Sequence, residues 1–208
     1  MATTIMATTI TLIMLVVYAV ILSLLAKKVL INRILVLVMV TTGLAFGMIS
    51  YAAFIAPLNS IEIYFMNTRG TFHVLLVGPI QEEIAKFVCF LLAYVFIMRM
   101  RLCGEESSRI ENGKSLAILG AIVGLAFAVP ENLIDYGNLA IAGTFFRTVM
   151  SWPIHMLNAG ISAYGFYRYK SAREVKPIVG FLLLVGFLLL AILIHFLFNL
   201  VLTTFVTF

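Results

Sequence analysis

The sequence predicts an all-α, polytopic membrane fold with six transmembrane helices, and three observations carry that prediction. First, 63% of the 208 residues are hydrophobic and only 11% are charged, with mean hydropathy +1.13. Soluble domains carry about a quarter charged residues, so that class is excluded. Second, the chain divides into six apolar segments, each close to or above the ~20 residues that cross ~30 Å of hydrocarbon as a helix. Third, the basic residues fall almost entirely in alternate connections between those segments. The net charge of +5 therefore reads as a topology signal, and no nucleic-acid partner is expected. The whole chain, 1–208, reads as a single integral membrane domain whose surroundings are the lipid bilayer.

Span 1 is expected at about 10–26. No basic stretch precedes it and no Ala-x-Ala site follows it, so it reads as a retained helix. Span 2, about 34–56, holds Gly43 and Gly47 in a small-xxx-small pattern that lets helix backbones approach closely. Span 3, about 72–98, contains Glu82, Glu83 and Lys86 inside apolar sequence. Span 4, about 115–134, repeats the close-packing pattern at Gly120 and Gly124 and ends in Pro130 and Glu131. The proline is expected to open the helix there and free backbone groups. Span 5, about 144–167, contains Arg147 and His155, and span 6, about 178–206, contains His195 and Asn199. Cys89 lies within a span and Cys103 in a polar loop, so no disulfide is expected.

Lys27, Lys28 and Arg33 follow span 1; Arg99, Arg101, Arg109 and Lys114 follow span 3; Arg168, Lys170, Arg173 and Lys176 follow span 5. The positive-inside rule places these three loops in the cytoplasm and both termini outside.

The polar groups inside the hydrocarbon carry the chemistry. A charged side chain at the bilayer centre costs roughly 2.5–3.5 kcal/mol on insertion scales, so such groups are paired, line a cavity or react. Glu82, Glu83, Lys86, Glu131, His155 and His195 fall on spans 3 to 6. At 1.5 Å rise per residue, all lie within roughly 5–20 Å of the outer face, which predicts one shared site. Glu82 and Lys86 are four apart, which favours an ion pair on one helix face, and His195 and Asn199 share a face likewise. Two histidines with one or two carboxylates suit Zn²⁺ with an open position for water, whose pKa the ion lowers while a spare glutamate serves as base. A metal-free route is also open: a glutamate assisted by histidine activates water, with His195 and Asn199 donating to the oxyanion. Both routes lead to hydrolysis of a peptide bond in or at the edge of the membrane.

Glu82-Glu83-x-x-Lys86, Phe127-x-x-x-Glu131, His155 with Gly160, and His195-x-x-x-Asn199 together resemble the motif order of PrsW-family intramembrane proteases. That family is related to the CAAX prenyl endoproteases and the CPBP (Abi) proteins. Those relatives usually carry EExxxR and FxxxH; Lys86 and Glu131 depart from them in the direction of the PrsW pattern. The resemblance covers spans 3 to 6 and implies a prokaryotic cell-membrane protease. Its implied substrate is a membrane-anchored protein of the anti-sigma-factor kind, cut on the outer side of the bilayer. Carried onto this chain, it implies that Glu82 and Glu83 supply the base or a ligand. It likewise implies Glu131, His155 and His195 as ligands of a Zn²⁺ or as acid–base partners. Within that scheme Glu82 is the favoured catalytic group, Glu83 and Lys86 an orienting pair, and Asn199 the oxyanion donor. Arg147 binds substrate backbone or balances Glu131. Two further readings compete: a proton-coupled transporter or proton relay built from the same Glu, His and Lys, and a non-catalytic relative that binds peptide or lipid.

Overall fold

The structure is a computed structural model and describes residues 2–29, 33–59, 73–100, 110–134 and 141–205. Six α-helices make up the described residues: α1 (Ala2–Val29), α2 (Arg33–Ile49), α3 (Gly78–Arg99), α4 (Gly113–Ile134), α5 (Ile141–Arg173) and α6 (Pro177–Phe205). Each overlaps one of the six apolar segments of the sequence. By length and composition, four apolar windows can cross a membrane: Thr8–Lys28, Ile34–Asn59, Gly113–Ile134 and Pro177–Thr203. In α3, Glu82, Glu83, Lys86 and Arg99 interrupt the apolar sequence; in α5, Arg147, Arg168, Lys170 and Arg173 do so. Cys103 and most of the loop between α3 and α4 lie outside the described residues, whereas Cys89 is a buried free thiol.

Helix α4 is the hub. Of its apolar window, 67% is buried, against 11% for that of α6, which presents leucines outward to lipid. Small residues make this centrality possible. A Cβ on Gly47 would run into the Val123 carbonyl oxygen and, at 2.5 Å, Ala126 Cβ, so α2 meets α4 backbone to backbone. A Cβ on Gly124 would collide with the His155 carbonyl group, so α4 and α5 touch at the histidine itself. Gly124→Ala is therefore expected to destabilise the protein by about 1–3 kcal/mol, as overpacking does. The shift of His155 should also lower activity, which thermal unfolding in detergent beside a cleavage assay would check.

Pro130 does not open α4, which runs on to Ile134. The proline removes one backbone donor, and the helix continues because the turn beyond it is tied to α5: Asn132 Nδ2 donates to Thr148 Oγ1 at 2.9 Å. Two π-helical turns, which the sequence does not announce, flank the site. One, Ser50–Ile55, extends α2, and the other, His73–Val77, leads into α3. The first carries Tyr51 and Ile55 into a small buried cluster with Ala85 and Phe127. Such one-turn π segments frequently accompany functional sites.

At the opposite end of α3, a polar clamp joins three segments. The Tyr94 hydroxyl donates to Glu111 Oε1 at 2.7 Å, and Lys170 Nζ donates both to that carboxylate and to the hydroxyl oxygen. The Lys170 and Tyr94 hydrogen bonds hold the Glu111 carboxyl below the usual glutamate range. This clamp lies among the basic residues predicted to face the cytoplasm.

Candidate metal and catalytic site

Helices α3, α4, α5 and α6 each deliver polar side chains to one buried point. Positions 82, 83 and 86 follow the Gly78-Pro79 start of α3 by one to two turns, which aims them at the interior between α4, α5 and α6. Glu83 and Lys86 side chains are fully buried, while the Glu82 side chain keeps 16% of its surface. The ion pair forms between Lys86 and Glu83, three residues apart, with Nζ to Oε1 at 2.6 Å. The pairing of Lys86 with Glu82 that the four-residue spacing favours is not the one formed; the Glu83–Lys86 orienting pair implied by the resemblance is. The physical reason is tertiary. Glu83 faces two further donors, His195 Nδ1 at 2.8 Å and Asn158 Nδ2 at 3.4 Å, so its negative charge is the one the core can neutralise.

The two imidazoles are arranged alike. His155 Nε2 lies 2.9 Å from Glu131 Oε2, and His195 Nδ1 lies 2.8 Å from Glu83 Oε1. Each carboxylate fixes one ring nitrogen as the N–H donor. The other nitrogens, Nδ1 of His155 and Nε2 of His195, face Glu82 Oε2 at 4.0 and 3.8 Å. Donor atoms of Glu82, His155 and His195 lie within 4.8 Å of one another. The rings meet edge to face with centroids 5.2 Å apart. Phe127 forms one wall, its centroid 5.5 Å from the His155 ring and 4.8 Å from Lys86 Nζ. This contact gives the Phe127-x-x-x-Glu131 spacing its physical content: one turn of α4 supplies both an apolar wall and a carboxylate for the same imidazole.

The donor set fits a divalent metal ion. Glu82 Oε2 is buried and makes no hydrogen bond among the described residues, the condition of a carboxylate oxygen that needs a cation. Two imidazoles and one carboxylate, with each imidazole backed by a second carboxylate, are the ligands and outer partners typical of zinc sites. A tetrahedral ion with bonds of ~2 Å spaces its donors roughly 3.3 Å apart. The donors stand wider than that, at 3.8 and 4.0 Å from Glu82 and within 4.8 Å over the whole set, so the three side chains must draw inward to hold an ion. Lys86 Nζ lies 3.0 Å from His155 Nδ1, so that lone pair serves either the ammonium or a metal ion, and Lys86 keeps Glu83 in both cases.

Of the residues singled out from sequence, Glu82, Glu83, Lys86, Glu131, His155 and His195 come together here. Glu131 stands on the far side of His155 from Glu82, against the ring nitrogen that points away from the three-residue cluster. Asn199 lies one turn beyond His195 on α6, half-buried. The side chain of Arg147 lies outside the described residues. Asn158 was missed by sequence reasoning. Its signal was its place three residues after His155 on the same helix face, and it is fully buried with its amide on Glu83.

Neither a curated protein nor a solved structure matches the chain. A family model described as "PrsW family intramembrane metalloprotease" matches residues 2–208, nearly its full length. Four helices converging on a carboxylate–imidazole cluster, in a chain whose apolar helices belong in a bilayer, agree with that match: the chain belongs to the PrsW family of intramembrane metalloproteases.

Proposed function

We propose that this protein is an endopeptidase that cuts a membrane-anchored protein, of the anti-sigma-factor kind, within the outer half of the bilayer. The observation that carries this reading is the approach of Glu82, His155 and His195 donor atoms to within 4.8 Å of one another among apolar helices. In this reading all six helices cross the membrane, and the connections following α1, α3 and α5 lie in the cytoplasm. Three of the four charged residues of α3, Glu82, Glu83 and Lys86, belong to the site, and Glu83 and Lys86 are paired and fully buried there.

Glu82, His155 and His195 would hold the metal ion, with zinc the best fit to two imidazoles and one carboxylate. When bound, such an ion acts as a Lewis acid and makes water a competent nucleophile near neutral pH. The chain's own residues do the rest. Glu83 holds the His195 tautomer and neutralises Lys86. Glu131 accepts the His155 Nε2–H and so holds the ring with its other nitrogen toward the cluster, rather than acting as a ligand. Asn158 steadies Glu83. Asn199, on the same face of α6 as His195, donates to the developing oxyanion, worth about 10²–10³ in rate for such a donor. Glu82 keeps the most exposed surface of the site carboxylates, 16% against 9% for Glu131 and none for Glu83, so the scissile bond approaches from its side. Water is scarce there, which strengthens each of these charge interactions.

The test uses the purified protein in liposomes with a single-span test peptide. Cleavage that a membrane-permeant chelator stops and zinc restores is the expected result. Proton flux without any peptide, and no cleavage, would favour a transporter instead.

A further inference from the structure

We propose that the protein carries a site for one anionic phospholipid, separate from the catalytic cluster, where α1, α4 and α5 meet. Two adjoining cavities form it. The first is an apolar groove of about 480 Å³, lined by Leu22 and Leu25 of α1, Ala117 and Ala121 of α4, and Pro153 and Gly160 of α5. The second is a polar hollow of about 540 Å³ lined by Lys28, Asn112, Lys114 and Tyr167. Tyr164 lines both and joins them.

The three helices change character in the same direction. On α1 the stripe Leu22, Leu25 ends in Lys28; on the antiparallel α4 the stripe Ala121, Ala117 ends in Lys114; on α5 the stripe Pro153, Gly160 ends in Tyr164. An apolar channel capped by cations at one end has the polarity of a phospholipid, chain and phosphate in order. From Pro153 to Tyr164 the groove runs roughly 16 Å along α5. That is about half of the ~30 Å hydrocarbon core, the reach of one leaflet. Among the described residues no carboxylate lines either cavity, and Lys28 and Lys114 are exposed and turned to the hollow, so the charge there is complementary to an anionic headgroup. The end carrying the lysines is the end predicted to face the cytoplasm, where anionic lipids attract basic juxtamembrane residues. Gly160 lets α5 lie close against α4 beside the groove: the Ala117 carbonyl oxygen would stand 3.1 Å from a Cβ there. At 100° per residue, the α5 residues that line the groove lie on the face opposite His155, so the lipid site and the catalytic cluster share a helix without sharing a side chain.

Native mass spectrometry of the detergent-purified protein, offered equal phosphatidylglycerol and phosphatidylcholine, tests this. Wild type should retain one phosphatidylglycerol with about thirtyfold preference, the scale expected of two lysines near a headgroup. The Lys28→Gln/Lys114→Gln variant should keep a lipid but lose the preference to within about twofold. Leu25→Trp, which fills the groove from an exposed position on α1, should lose retention of both lipids. Equal retention by wild type, an undiminished preference in the double variant, or displacement by millimolar inorganic phosphate would each overturn the proposal. Both variants change residues at the surface of the bundle and should unfold at the wild-type temperature. Activity plays no part in these readouts, so failure here leaves the protease assignment untouched.

Discussion

Glu82→Gln, His155→Ala and His195→Ala are each expected to abolish both metal retention and cleavage, whereas Glu131→Gln is expected to retain a measurable share of both. The difference follows from geometry. Donor atoms of the first three residues converge within 4.8 Å, so losing one removes a ligand. Glu131 instead holds the opposite nitrogen of His155 at 2.9 Å, the place of an outer carboxylate behind a metal-binding histidine. Substitutions at such positions cost about 10–100-fold in metal affinity or activity. A titration of metal affinity across the four variants, beside peptide cleavage, separates the two classes. Glu131→Gln falling to the level of His155→Ala would make Glu131 a ligand, as the sequence motif alone suggests.

Lys86→Met is expected to produce the largest loss of stability of any single substitution in the site. Lys86 and Glu83 are fully buried partners at 2.6 Å, and removing one leaves an uncompensated charge in the core. Breaking a buried pair in this way costs about 3–5 kcal/mol. The His195 and Asn158 contacts to Glu83 offset part of this, so Lys86→Met combined with Glu83→Gln should recover much of the lost stability. Thermal unfolding in detergent reads both, and a double variant no more stable than Lys86→Met would show that the pair is not the source of the cost. Cleavage should fail in the double variant, because Glu83 also sets the orientation of His195.

Much of this architecture is legible in the sequence because a membrane simplifies the problem. Apolar stretches of helical length specify where helices run, and each expected segment overlaps an observed helix, whereas Ala2–Val29 and Ile141–Arg173 run well past the stretches expected at 10–26 and 144–167. The glycine pairs also read directly: Gly47 and Gly124 mark the places where α2 meets α4 and α4 meets α5. The intramembrane charges identify the site, since few other reasons exist to place Glu82, Glu83, Glu131 and two histidines in such sequence.

What the sequence leaves undecided depends on rotamers and on partners far along the chain. Glu82 and Glu83 are neighbours, and three- and four-residue spacings to Lys86 are both compatible with a helix. Contacts from positions 158 and 195 decide which carboxylate Lys86 keeps. The part played by Glu131 depends on which ring nitrogen of His155 it meets, and no spacing rule contains that. The π-helical turns at 50–55 and 73–77 arise from tertiary packing around Tyr51 and the entry to α3, with no local residue pattern to announce them. The charges of the site itself lie in α3 and interrupt its apolar sequence, so that helix is not among the four windows apolar enough to cross a membrane.

The central claim is that Glu82, His155 and His195 form one metal site, and metal content tests it most directly. Elemental analysis of the detergent-purified wild type should give about one zinc per chain, since three protein donors define a single catalytic-type site. The same measurement on Glu82→Gln and on the His155→Ala/His195→Ala double variant should give none. A wild-type preparation that cleaves a test peptide without bound metal, or variants that keep the full wild-type content, would contradict it.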